Sequence, residues 1–190
     1  HILDQRNHGK SFHASAHNYE LMCSDLLLYL DEKGIDKISL VGHSMGGKTA
    51  MLFACTYPER VDKLVVVDIA PKHYAPHHQE ILEGLNAVED ARVSSRSEAD
   101  NVLSGHFSQL GVRQFLLKNL YWKNDQELTF RFNLKALAKE IHNVGEPLSE
   151  EAIFNGPTLF IDGEASDYIT SVDVELIEKH FPDSEIVEIE

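Results

Sequence analysis

"ISLVGHSMGGKTAML", Ile38–Leu52, passes from a β-branched apolar run through a glycine-flanked serine into residues that favour a helix. The order strand, corner, helix decides the fold. "KISLVGHS" reads as a buried strand and "GGKTAMLFACTYPERV" as a helix that Pro58 closes. "DKLVVVDIAP" then reads as a second strand, whose unbroken Leu-Val-Val-Val run suits a parallel sheet covered on both faces. Strand, helix, strand is the unit from which α/β proteins are built.

At the corner, Gly42-His43-Ser44-Met45-Gly46 fits G-x-S-x-G, the pattern of a strand turned so sharply into a helix that its serine is held strained. The flanking glycines are expected because a Cβ there would strike the neighbouring strand or helix. The turn lifts the Ser44 Oγ out of the sheet and leaves the Met45 N–H, at a helix N-terminus, free to donate to a developing oxyanion. Gly47 adds a second small residue for close packing. A phosphate-binding glycine turn is the weaker reading, and Ser44 is the candidate nucleophile.

Composition bounds this reading. The chain has 190 residues, 43% apolar and 25% charged, enough for one domain with a sizeable core. Its 17 Lys and Arg against 31 Asp and Glu give a formal net charge of -14, which repels nucleic-acid phosphates and anionic lipid heads. Neither nucleic acid nor a membrane surface is expected as a partner. Cys23 and Cys55 stand too far apart for a C-x-x-C pair and outside any zinc spacing, and read as buried thiols. No apolar stretch nears the roughly 20 residues of a membrane span, and the cytoplasm is the expected compartment.

Outward from the corner, "YELMCSDLLLYLDEKG" places Leu21, Met22, Leu26, Tyr29 and Leu30 at helical spacing and ends on Lys33 and Gly34, a usual stop signal. Beyond Tyr74 the strand signal fades. Patterns at Ile81, Leu82, Leu85, Val88, then Phe115, Leu116, Leu120, then Leu134, Leu137, Ile141 predict several helices, with a short hairpin in "YWKNDQELTFRFN". The βα pattern returns with "GPTLFIDGEASDYI", the helix "SVDVELIEKHFPDS" and the strand "EIVEIE". The expected layout is a core at 1–73 and 147–190 with a helical cap inserted at 74–146.

Serine chemistry needs a histidine base and a carboxylate that holds its tautomer, in the chain order Ser, acid, His. Two aspartates follow later strands: Asp68 closes "LVVVD", and Asp167 sits in the loop after "TLFIDGEAS". Either fits by position. None of the eleven histidines follows "EIVEIE". His43 lies inside the elbow, where packing or orienting the loop suits it; His73, His77, His78 and His106 fall in or near the cap as solvated or substrate-lining side chains; His180 ends a helix, where a cation suits the dipole. The base is therefore expected after Glu190.

"DQRNHGKS" (Asp4–Ser11), "GHSMGGKTAM" (Gly42–Met51), "PERVDKLVVVDIAP" (Pro58–Pro71) and "RQFLLKNL" (Arg113–Leu120) together resemble the α/β-hydrolase superfamily, and within it the YbfF-type esterases of bacteria. The resemblance implies a carboxyl-ester or thioester hydrolase with a four-helix cap, and it favours Asp68 over Asp167 as the acid. It also implies first strands and a second oxyanion donor before His1. Asp4–Ser11 reads as a structural turn.

The expected reaction is two-step acyl transfer on a small-molecule ester or thioester, with no metal or organic cofactor. Cap aromatics Phe107, Phe115, Tyr121 and Trp122, with His43, are the candidate pocket residues, favouring a small or medium acyl group. A dehalogenase or epoxide hydrolase would need a carboxylate where Ser44 stands. A perhydrolase, a C–C hydrolase or a non-catalytic ligand-binding module on the same fold are the alternatives.

Overall fold

The computed structural model describes residues 1–75 and 79–190; the expectations for His77 and His78 fall outside them. In chain order the elements are α1 (Tyr19–Lys33), β1 (Ile38–His43), α2 (Met45–Thr56), β2 (Val61–Val67), α3 (Gln79–Asp90), α4 (Arg96–Ser104), α5 (Leu110–Leu117), β3 (Leu120–Asn124), β4 (Glu127–Phe130), α6 (Leu134–Val144), β5 (Thr158–Gly163), α7 (Val174–His180) and β6 (Ser184–Ile189). They form two compact units, Asn18–Ala75 with His142–Glu190, and His1–His17 with Pro76–Ile141.

The first of these units is an α/β layer. Its four strands lie in the order β1-β2-β5-β6, all parallel. Leu64, Val66 and Phe160 point to one face and are fully buried with Met51, Phe53 and Ala54 of α2 and Ile177 of α7. Helix α1 starts on Asn18, whose side chain accepts the Leu21 N–H, and stops on Gly34 at φ 64°, as the Lys33-Gly34 signal predicts. The opposite face is more open than an unbroken valine run predicts: Val41 of β1 is 66% exposed, and Val65 and Val67 are only half-buried. The apolar run reports strand type; the chain's own helices α1, α2 and α7 share one core cluster with the other face of the sheet.

The second unit carries four helices among its described residues, α3 to α6, the last continuing three residues beyond Ile141. Leu85, Val88, Leu103, Leu116 and Phe130 build its core. The expected hairpin is present as β3 and β4, antiparallel around Asp125–Gln126. Leu120, read as part of a helical pattern, instead begins β3 and pairs with Phe130. Arg113 of the "RQFLLKNL" stretch is structural, its guanidinium held by Asp100 Oδ1 at 2.9 Å and by the carbonyls of Phe107 and Ser108.

Residues 1–17 were expected with the α/β core, but the structure groups them with the helical unit. Asn7 explains why. Fully buried at φ 66°, it accepts the Ala14 N–H at 2.8 Å and the Asn133 Nδ2 at 3.1 Å on its side chain, while its backbone carbonyl accepts the Asn133 N–H at 2.8 Å. A second αL residue, Gly9 at φ 57°, lets the Asp4 carboxylate close the turn on the Lys10 N–H at 2.9 Å. The Asp4–Ser11 segment is a structural turn.

His17 is fully buried in this unit; burial first, then the neighbouring His8 and Arg6, lower its pKa from 6.5 to about 4. Between those values the unfolded chain binds a proton that the folded one refuses, so the destabilisation from this group is absent above pH 6.5 and grows as pH drops toward 4. Chemical denaturation across that range should show a loss of about 3 kcal/mol, and His17→Phe should flatten the slope.

Candidate active site

Ser44 sits at φ 51° and ψ -119°, between the last residue of β1 and the first of α2. For a non-glycine residue this conformation is strained, and it persists only where the surroundings over-determine it. They do so here. The Ser44 N–H donates to the Val67 carbonyl of β2 at 3.0 Å, and its carbonyl accepts the Lys48 N–H at 3.0 Å. A Cβ on Gly42 would lie 2.2 Å from the Gly46 carbonyl oxygen, and one on Gly47 would lie 2.5 Å from Ile69 Cγ2. Strand and helix meet main chain to main chain. The Ser44 side chain makes no capping bond, and Met45 opens α2, where N–H groups lack intrahelical acceptors.

Register carries the site across the sheet. His43 pairs with Val67, and Val67 with Ile161. The next residue on each strand is Ser44, Asp68 and Asp162, so all three emerge in one row at the carboxyl edge. Asp68 is also left-handed, at φ 54°, with its N–H held by the Ile161 carbonyl at 2.8 Å. Two adjacent parallel strands thus end in strained polar residues at matching positions.

Asp162 is absent from the sequence reading, although it closes "TLFID" just as Asp68 closes "LVVVD". That shared signal could have found it. The Oδ1 atoms of Asp68 and Asp162 are both buried without a hydrogen-bond partner among the described residues. Desolvation first, then the nearby Asp68 charge, raises the pKa of Asp162. Asp167, the other candidate acid, lies exposed in the loop beyond β5.

The remaining candidates scatter. His43 is exposed; Phe115 and Trp122 are 65% and 56% exposed within the helical unit. Phe107, expected to line a pocket, is instead buried in that unit's core, where its ring lies against Gly84. His180, expected as a helix-end cation, is 2% exposed and packed, its Nδ1 2.6 Å from the Ala152 carbonyl. His73 and His106 are exposed. Both cysteines are free; Cys23 is buried and Cys55 half-buried, and burial pushes each thiol up to about 12.

The corner also satisfies a second spacing that the sequence reading overlooks: Gly42 to Thr49 fits G-x-x-x-x-G-K-[ST], the phosphate-cradling loop. The structure excludes that use. Lys48, which would have to reach a phosphate, is 2% exposed, with its Nζ turned inward onto the carbonyls of Lys72 at 2.5 Å and Glu146 at 2.7 Å.

The alpha/beta hydrolase fold family matches residues 1–93. A solved marine microorganism esterase superposes with a TM-score of 0.92 at 37% identity, over 98% of this chain and 74% of that one. The chain belongs to the α/β-hydrolase family. Among its curated relatives in that family, Esterase YbfF of Escherichia coli is 39% identical over 88% of this chain and 64% of its own length. The sn-1-specific diacylglycerol lipase ABHD11 of Danio rerio is 37% identical over 97% and 60%. The chain spans less than two thirds of the length of these two relatives.

As an α/β hydrolase, its elbow depends on close main-chain contact. Gly42→Ala, which drives a methyl into the Gly46 carbonyl, should cost about 3 kcal/mol. A fall in thermal midpoint, with Gly111→Ala at or slightly above wild type because among the described residues nothing beyond its own helix backbone and chain neighbours lies within 4 Å of its Cβ position, would verify it.

Proposed function

We propose that the protein is a serine hydrolase of carboxyl esters or thioesters, with Ser44 as nucleophile and Asp68 as the acid. The observation that carries this is the pair of strained residues at the ends of β1 and β2: Ser44 at φ 51° and Asp68 at φ 54° leave the sheet at registered positions. A serine in a strained corner has no packing role that alanine could not fill. A carboxylate one strand over, with a buried oxygen that has no hydrogen-bond partner among the described residues, suits a group whose partner arrives from elsewhere in the site. The relatives, an esterase, a diacylglycerol lipase and a marine microorganism esterase by name, support ester cleavage.

In the first step the Ser44 Oγ adds to the substrate carbonyl carbon while its proton passes to a histidine base. The Met45 N–H donates to the oxygen that becomes negative. Collapse releases the alcohol or thiol, which takes the proton from the histidine and leaves an acyl group on Ser44. Water, deprotonated by the same base, then cleaves the acyl-enzyme and restores the serine. The Asp68 carboxylate holds the imidazole in the tautomer whose free nitrogen faces Ser44, and stabilises the imidazolium.

In the full-length protein, Ser44→Ala should lower p-nitrophenyl ester turnover by about 10⁴-fold or more, and Asp68→Asn by about 10⁴-fold. Asp167→Asn should stay near wild type. Turnover that survives Ser44→Ala would overturn the assignment. Ligand binding without turnover in either form would show a binding module. A chain-length series of esters tests the expected preference for small to medium acyl groups.

A further inference from the structure

Lys48 lies one turn into α2, with its side chain dry and no part in the reaction above. Its ammonium donates to the carbonyls of Lys72 and Glu146, at 2.5 and 2.7 Å, and Nζ lies over the Tyr74 ring, 5.1 Å from its centre. The same ring receives the Lys72 ammonium at 5.2 Å, which in turn pairs with Asp173 at 2.6 Å. Tyr74 is itself tied down: its hydroxyl donates to the Tyr168 carbonyl at 2.5 Å and accepts the Ala70 N–H at 2.8 Å.

These contacts converge on one segment, Asp68 to Tyr74. Ala70 is held through the Tyr74 hydroxyl, Lys72 through the Lys48 amine, and Tyr74 through its N–H on the Gly145 carbonyl at 2.8 Å. Pro71 accepts the Leu148 N–H at 3.0 Å. Meanwhile the backbone N–H of Lys48 closes the first turn of α2 on the Ser44 carbonyl. One residue therefore holds the nucleophile with its main chain and the segment after the acid with its side chain.

We propose that Lys48 is a positioning residue of the hydrolytic site, a brace that fixes Asp68 relative to Ser44 through the Asp68–Tyr74 segment. The assignment rests on the ester-hydrolase reading. A core filler would be met by methionine, which matches the volume without an ammonium to desolvate. The environment does resist that charge: burial first, and the Lys72 cation second, push the Lys48 amine down to about 7. What the amine supplies and methionine cannot is a directional link to two carbonyls from separate chain segments.

The test uses the full-length protein with Lys48→Met, Tyr74→Phe and Ser44→Ala beside wild type, read by ester kinetics and by hydrogen exchange of the amides of residues 69–74. Misplacing a catalytic group by about 1 Å costs on the order of 100-fold. Lys48→Met should therefore lower kcat by roughly 10- to 100-fold with KM within about twofold, and quicken exchange at Ala70 and Tyr74. Tyr74→Phe, which keeps the ring and releases the Ala70 N–H and the Tyr168 carbonyl, should move both readouts in the same direction and carries the test if Lys48→Met does not fold. Wild-type kcat per folded molecule in both variants, whatever their melting temperatures, would overturn the role of Lys48 while leaving the hydrolase reading intact. Equal turnover in wild type and Ser44→Ala would overturn the hydrolase reading, and the brace with it.

Discussion

The α/β unit depends on a contact from which side chains are excluded. Strand β1 and helix α2 meet so closely at Gly42 and Gly46 that the space for one methyl is already filled by a carbonyl. Such an approach has two consequences. It seats α2 against β2, with Gly47 resting on Ile69 and Val66, so that the helix most buried in the core is also the one that follows the serine. It also forces the residue in the corner to a positive φ, a cost of order 1–3 kcal/mol that the surrounding core must hold. Because Phe53, Ala54 and Met51 of α2 lie fully buried beneath the sheet, the corner cannot relax without pulling a helix out of the core.

Strain at Asp68 follows from the same sheet. Its N–H bonds to β5 and the preceding Val67 carbonyl accepts from Ser44, so the end of β2 is pinned from both neighbours. The row Ser44, Asp68, Asp162 is a product of parallel register: each residue stands one step beyond the paired His43, Val67 and Ile161. Family relatives bearing esterase and lipase names fit this geometry, in which the sheet supplies placement and the loops supply chemistry.

Both units rely on a buried polar side chain that serves main-chain groups rather than a charge partner. In one, the Asn7 side chain accepts the Ala14 N–H and donates to the Ala16 carbonyl. In the other, Lys48 joins the carbonyls of Lys72 and Glu146. Loops lack a ladder of their own, and a single multivalent side chain can satisfy groups that would otherwise be buried unpaired.

The sequence by itself determined the elements and the corner. Helix α1 was legible to its last residue because Gly34 is a stop with a mechanism; strands β1, β2 and β5 were legible as apolar runs, and the hairpin as two aromatic-rich arms about a polar turn. Ser44 was legible because its flanking glycines answer a local steric demand. Only the tertiary structure decided what depends on partners distant in the chain. Asp162 joined the edge row through register with β2, Phe107 left the pocket candidates because Gly84 receives it, and Leu120 became strand because Phe130 pairs with it. Residues 1–17 went with the helical unit through Asn133, and Lys48, whose spacing alone suits a phosphate loop, turned inward to carbonyls 24 and 98 residues away. Local sterics are written in neighbouring residues, whereas burial and hydrogen-bond partners exist only once distant segments have been brought together.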